Sequence, residues 1–231
     1  MNEVMRLEKK YALDQFQASS LRGRLEQVMH PDPHNGARGY LIRSLYFDTP
    51  DDQDFMDKVE GLELRRKLRL RIYDPQDSFA MLEMKQKQGP YQKKRSLRLA
   101  RRDALALCRG DYSPLLQYRE PFAGECYGLM HCRCYRPKVV VEYRRQAYIA
   151  QENHIRLTLD SGLKTAEACM DLFSKNLSRH YAMDPYQAIL EVKYNGFLLS
   201  YIKDLLNDAH RPEVTISKYC IARRLSMGIR A

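Results

Sequence analysis

The chain has 231 residues, 44% of them hydrophobic, which suffices for a sizeable core and excludes a chain disordered by composition. Thirty-nine Lys and Arg against 29 Asp and Glu leave a net charge of +10, so the expected partners are anionic: nucleic acid, anionic lipid or phosphorylated small molecules. No stretch approaches the ~18 consecutive apolar residues of a membrane span; the opening MNEVMRLEKKYALDQF has no apolar stretch of a secretory signal, so a cytosolic chain with reduced thiols is expected.

In chain order, residues 4–11 alternate and predict a strand, and Leu13 to Val28 carries Leu, Phe and Val at helical spacing. HPDPHNGARG (30–39) is rich in Pro, Gly and Asn and predicts a loop; YLIRSLYF (40–47) predicts a strand. The following Asp48-Thr-Pro-Asp-Asp offers a helix start, with Thr49 as capping side chain, Pro50 in the first turn and acids beside it. Residues 62–73 make the clearest strand: Leu64, Leu68, Leu70 and Ile72 share one face, and Arg65, Lys67, Arg69 and Arg71 the other. After the turn at Asp74-Pro-Gln-Asp, a strand at 79–87 sets Glu83, Lys85 and Lys87 against Leu82 and Met84. A hairpin turn at Gln88-Gly-Pro leads into a strand at 91–99, with Lys94, Ser96 and Arg98 opposite Arg95, Leu97 and Leu99.

Residues 101–133 predict two or three short helices. The strand at 135–149 is long, and alternation alone places Glu142 and Arg145 on opposite faces unless a bulge intervenes. HIRLTLD (154–160) alternates Arg156, Thr158 and Asp160 against Ile155, Leu157 and Leu159; residues 163–187 predict a short strand and a loop. AILEVKYNG (188–196) is a further strand, FLLSYIKDLLND (197–208) a helix, and Ser217 to Met227 a final helix. With no repeat, low-complexity tract or linker, a single domain over residues 1–231 is expected, with about eight strands in antiparallel hairpins.

One pattern recurs: charged residues two apart, as in Glu8-Lys9-Lys10, Arg69-Leu70-Arg71, Glu83-Met84-Lys85 and Glu191-Val192-Lys193. In a strand such residues share a face. A wet sheet face needs no function to carry charge. Like charges crowded on one face repel, however, and a polyanion would compensate them. Closing the strands into a barrel would gather these side chains in a bore, with the helices at 13–28, 101–118 and 197–208 covering the apolar outer face. Carboxylates among such cations suit a hard divalent ion that also binds phosphate oxygens.

Other chemistries fit less well. Cys126, His131, Cys132 and Cys134 invite a zinc reading, but their spacing is not that of a common structural site, and ordinary reduced thiols are expected. No G-x-x-x-x-G-K-[ST] occurs, which argues against a P-loop enzyme. The six His are scattered; His154 or His180 would be the candidates for a phosphohistidine route. The basic residues alternate within strands instead of forming one stripe with aromatic platforms, so no nucleic-acid partner is expected.

Nine segments carry a family resemblance: EKKY (8–11), SLYFDT (44–49), RLRIYD (69–74), LEMKQK (82–87), KKRS (93–96), YRRQAY (143–148), IRLTLD (155–160), LEVKYNG (190–196) and SKY (217–219). Their order resembles the VTC polyphosphate polymerase domain, of the CYTH or triphosphate tunnel metalloenzyme superfamily, over nearly the whole chain. The resemblance implies an α+β fold, an eight-stranded antiparallel β-barrel tunnel with helices packed outside. It implies transfer of the γ-phosphoryl group of ATP onto a growing polyphosphate chain, with Mn²⁺ or Mg²⁺ as cofactor and pyrophosphate as a primer. By motif, Arg69, Arg71, Lys85, Lys94, Arg145, Arg156 and Lys218 would bind phosphate and carry the reaction, with Lys10 binding phosphate on the first strand and Lys193 in support. Glu191 would hold the metal, with Glu83 and Glu8, also facing the lumen, as further metal-binding carboxylates. The eukaryotic pattern adds a partner domain and a membrane segment that this sequence does not contain; a membrane partner is compatible with that, and the oligomeric state is left open. Two further readings use the same cations: a metal-dependent hydrolase of tripolyphosphate or a nucleoside triphosphate, and a non-catalytic binder of polyphosphate or inositol phosphates.

Overall fold

The computed structural model describes residues 6–89, 91–207 and 212–228. The start of the first expected strand (4–5), Pro90 of the expected hairpin turn and residue 208 of the expected helix lie outside the described residues.

Eight long strands form where alternation predicts them: β1 (Arg6–Asp14), β3 (Tyr40–Asp48), β4 (Leu64–Ile72), β5 (Phe79–Gln88), β6 (Tyr91–Ala100), β7 (Arg136–Ile149), β8 (Arg156–Ala166) and β10 (Gln187–Asn195). Two strands of two residues join them, β2 (His30–Pro31), inside the segment expected as a loop, and β9 (His180–Tyr181). The helices are α1 (Gln15–Val28), α2 (Gln53–Val59), α3 (Arg101–Cys108), α4 (Pro121–Cys132), α5 (Ser200–Asn207) and α6 (Lys218–Ser226). The class is α+β, with an antiparallel sheet in the order β1-β10-β8-β7-β3-β4-β5-β6, β2 pairing with β7 and β9 with β8.

The hydrogen-bonded path is open among the described residues, with β1 and β6 at its ends. The barrel closure implied by the resemblance is therefore not seen. Along β1, the Lys10 carbonyl instead accepts from the Val214 N–H at 2.9 Å, and Lys10 Nζ donates to the Ile216 carbonyl at 2.9 Å.

The chain folds as two compact units. One comprises residues 1–41, 143–163 and 183–217, the other residues 42–142, 164–182 and 218–231. In the second, the apolar alternates of β4 (Leu68, Leu70, Ile72), β5 (Ala80, Leu82, Met84) and β6 (Leu97, Leu99) form one core with Leu107 of α3 and Met130 of α4. In the first, Leu157 and Leu159 of β8 and Leu190 and Val192 of β10 pack with Leu21 and Leu25 of α1 and Ile202 and Leu206 of α5. Burial of each such side chain is worth roughly 2 kcal/mol. Helices thus cover the apolar face within each unit, which leaves the charged alternates to the other face.

Local signals set the boundaries. Asp14 caps α1: its Oδ1 accepts from the Gln17 N–H at 2.8 Å while Gln17 Oε1 accepts from the Asp14 N–H at 3.1 Å, a reciprocal box. The helix after β3 begins three residues later than its sequence suggests. Thr49 Oγ1 accepts from the Gln53 N–H at 2.9 Å, but Asp48, fully buried, takes the Asp54 and Phe55 N–H groups at 2.9 Å each, so Pro50 stays outside the helix.

Candidate active site

On β4, β5 and β6, Arg69, Glu83 and Ser96 stand abreast, and Lys67, Lys85 and Lys94 form the next row. Glu83 is 3% exposed and gathers three cations. Arg69 Nη2 and Nε lie 2.8 and 2.9 Å from its Oε2, Arg71 Nη1 lies 3.7 Å away, and Lys94 Nζ contacts Oε1. Burial pushes the Glu83 carboxyl up, but Arg69, Arg71 and Lys94 outweigh burial and hold it at about 2. Lys94 shows the excess from the other side. Burial lowers its pKa, Glu83 works against that, and Arg71 and Arg69 push it further down, so the net shift is downward despite the ion pair. Three positive charges held by one negative charge make a seat for an anion.

Aromatic residues frame this seat. Arg69 Nη1 donates to the Tyr46 hydroxyl at 2.9 Å, and the guanidinium lies 5.7 Å from the Tyr46 ring centre. Tyr46 stacks on Tyr219 at 5.0 Å, and Tyr219 follows Lys218, the first residue of α6, which is 8% exposed. The Tyr219 hydroxyl donates to Asp48 Oδ2 at 2.5 Å; burial, with Asp48 adding to it, pushes the phenol well above its ordinary range. A chain of contacts therefore runs from SLYFDT to SKY and sets where Lys218 stands. Arg71, 7% exposed, also approaches Ser44 Oγ at 3.5 Å. Lys85 is half-buried between Lys67 and Lys94 in register.

The first unit gathers a second cluster of different balance. Arg145, 8% exposed, makes a bidentate pair with Asp160 at 2.6 Å on both arms, and its Nη2 reaches Glu191 Oε2 at 3.3 Å. Burial opposes the charge on Arg145, but Tyr143, Asp160 and Glu191 hold its pKa well above the ordinary value. Lys193 Nζ lies 3.1 Å from Glu191 Oε2, and Lys10 Nζ lies 3.0 Å from Glu8 Oε1 and 3.9 Å from Glu191 Oε1. Arg156 Nη2 donates to Asp32 Oδ2 at 2.7 Å. Here the signs balance: Lys10, Arg145, Arg156 and Lys193 against Glu8, Asp32, Asp160 and Glu191. The excess of cations over carboxylates expected from alternation is thus found in the β4–β6 cluster and not here. Glu142, in the second unit, binds Arg43 Nε at 2.6 Å and Arg179 Nη1 at 2.5 Å.

The carboxylates differ in their fitness for a divalent metal. No three His, Cys, Asp or Glu gather as a metal-ligand group among the described residues. Glu83 fits poorly, because its cations outnumber it three to one, whereas the three on Glu191, from Lys10, Lys193 and Arg145, are shared with Glu8 and Asp160. Glu191 and Glu8, both near Lys10, fit an ion of the Mg²⁺ type, which takes one or two carboxylates and completes its shell with phosphate oxygens and water. Of the cysteines weighed for zinc, Cys126 lies in the apolar core of the second unit, where burial pushes its thiol up to about 12.

Alternation brought Arg69, Arg71, Lys94 and Glu83 together and placed Lys10, Glu191 and Lys193 in one neighbourhood. It missed Tyr46, Tyr219, Asp48, Asp32 and the partnership of Asp160 with Arg145. Tyr46 shares its face with Ser44 and lies in a quoted motif, and so does Tyr219; Asp32 carried no such signal.

The family model described as VTC domain matches residues 5–227. Among curated proteins nothing matches the chain. Among solved structures, a candidate adenylate cyclase from Bacillus halodurans is similar over 94% of this chain and 96% of its own, at 14% identity and a TM-score of 0.55. Another candidate adenylate cyclase, from Vibrio parahaemolyticus, is similar over 96% of this chain and 98% of its own, at 12% identity and a TM-score of 0.52. At these identities the likeness is one of fold.

Proposed function

The chain belongs to the VTC domain family, and from that premise we propose that it is an ATP-dependent polyphosphate polymerase. The observation that supports this most is the Glu83 cluster, where three cations converge on one deeply buried carboxylate. Phosphoryl transfer needs alignment and charge neutralisation more than a protein nucleophile. The terminal phosphate oxygen of the growing chain attacks the γ-phosphorus of ATP, the bond to the β-phosphate oxygen breaks, and ADP leaves.

Arg69 and Arg71 suit planar, two-pronged contacts to phosphoryl oxygens, and Lys94 a point contact. Glu83 holds their side chains in place before the anion arrives. Lys85 and Lys218 extend the same grip, and Lys10, Lys193, Arg145 and Arg156 serve the first unit's cluster. Glu191, with Glu8, would hold Mn²⁺ or Mg²⁺. When bound, the metal supplies further charge neutralisation on the phosphate oxygens. The burial of Glu83 and Arg71 strengthens the contacts they make relative to water.

The test is an assay with ATP, Mn²⁺ and a pyrophosphate primer in which polymer and orthophosphate are both measured. Long polymer with little orthophosphate is expected, and Arg69→Ala should cut the polymer rate about 100-fold, the order seen when one stabilising donor is removed. Orthophosphate without polymer would replace the polymerase with a hydrolase, and tight binding without turnover would leave a binding protein.

A further inference from the structure

The segment between β2 and β3 carries more than a connection. It is bolted to β7 at several points. The Asp32 N–H donates to the Ala147 carbonyl at 2.9 Å. The Asn35 side-chain amide donates to the same carbonyl at 2.7 Å and accepts from the Ala147 N–H at 3.0 Å. Gly39 has φ +72°, and a Cβ there would stand 2.3 Å from the Arg145 carbonyl oxygen, so no other residue allows the chain to pass so close.

This bracket presents Asp32, which is 8% exposed. Its Oδ1 accepts from the His34 N–H at 3.0 Å and lies 2.8 Å from His34 Nδ1. Its Oδ2 is thereby aimed at Arg156 Nη2, 2.7 Å away, and the Tyr40 hydroxyl accepts from the same nitrogen at 3.2 Å. Arg156 Nε and Nη1 make no hydrogen bond to the protein among the described residues, and the side chain is 41% exposed. One arm of the guanidinium is tethered and the rest is offered outward. In the sheet, Arg156 stands beside Lys193, which binds Glu191.

We propose that Asp32 is a positioning residue: with Tyr40 it fixes Nη2 of Arg156, so that Nε and Nη1 are pre-set to receive phosphoryl oxygens of a linear polyphosphate. The proposal rests on the phosphate-binding reading above. An untethered arginine gives up most of its rotamer freedom on binding, whereas a tethered one has already done so. The carboxylate also subtracts charge from the neighbourhood, so a merely electrostatic role would make its removal tighten anion binding. Positioning demands the opposite sign.

The experiment is a calorimetric titration of the whole chain with inorganic tripolyphosphate, for the parent, Asp32→Asn, Arg156→Ala and the double variant, with thermal melts alongside. Asp32→Asn is expected to raise Kd about 5-fold in the parent and to have no further effect once Arg156 is Ala, because a contact that acts through a partner vanishes with it. An equal weakening in both backgrounds, or a Kd that is unchanged or lower in Asp32→Asn while Arg156→Ala weakens binding, overturns the proposal. If Arg156→Ala itself leaves Kd unchanged, the phosphate-binding reading fails at Arg156, and the proposal falls with it. Should Asp32→Asn not fold, Tyr40→Phe removes the second tether alone; the same pattern, at about 2-fold, is then expected, and no change overturns the proposal.

Discussion

Glu83 illustrates how one side chain can be both a structural ion pair and a measure of the site. Its charge is costly to bury, and only the three cations around it make the ionised form favourable. A folded-state pKa of about 2 against an ordinary 4.5 means that the carboxylate contributes stability above pH 4.5 and loses it as the pH falls toward 2. The whole contribution is about 3 kcal/mol. Denaturant unfolding of the parent and of Glu83→Gln should therefore differ in slope: the parent loses about 3 kcal/mol more than the variant between pH 5 and 2. Equal slopes would show that Arg69, Arg71 and Lys94 do not hold this group. At neutral pH the variant should be the less stable of the two, since three cations lose their shared partner, and saturating tripolyphosphate should restore much of the loss by binding the folded state.

At the scale of elements, α2 is unusual in what it buries. Asp54 and Asp57 point inward, while Met56 and Val59 are exposed. Burial and the neighbouring Asp48 raise the Asp54 carboxyl to about 7, against the pull of the Tyr135 hydroxyl at 2.8 Å and of Arg66. The sign is opposite to that of Glu83. A carboxyl raised above its ordinary 3.8 leaves the fold most stable at low pH and costs stability as the pH climbs toward 7. Asp54→Asn should flatten the stability curve between about pH 4 and 7 and stabilise the protein at pH 8 by at most about 4 kcal/mol; a variant less stable than the parent at pH 8 would contradict this. The sequence made the strands legible because period-2 alternation in β4, β5 and β6 is both their folding signal and the arrangement of the site. It was less informative where a distant residue decides the local outcome. Asp48 reads as the residue before a helix capped by Thr49, yet it takes two N–H groups of α2 itself and binds Tyr219 on α6. Asp32 reads as a turn residue, and its aim at Arg156, 124 positions away, follows from hydrogen bonds to β7 that no local pattern encodes.

Across the whole molecule, two compact units each carry a hydrophobic core and a charged cluster. The clusters differ: that of β4–β6 has cations in excess, and that of β1, β8 and β10 pairs cations with carboxylates. The proposed anion grip belongs to the second unit, and the carboxylates proposed for a divalent metal belong to the first. A net charge of +10 adds a general attraction for polyanions that salt will screen, so the specific seat must be told apart from the background. Among the described residues no helix is long and apolar enough to cross a membrane. The measurement that bears most directly on the Glu83 cluster as the phosphate seat is the Kd for inorganic tripolyphosphate at about 0.15 M salt, compared between the parent and Arg69→Ala. Affinity in Arg69→Ala should drop at least about 10-fold, the loss of one charge-assisted, desolvated contact. An unchanged Kd in a folded Arg69→Ala protein would contradict the account.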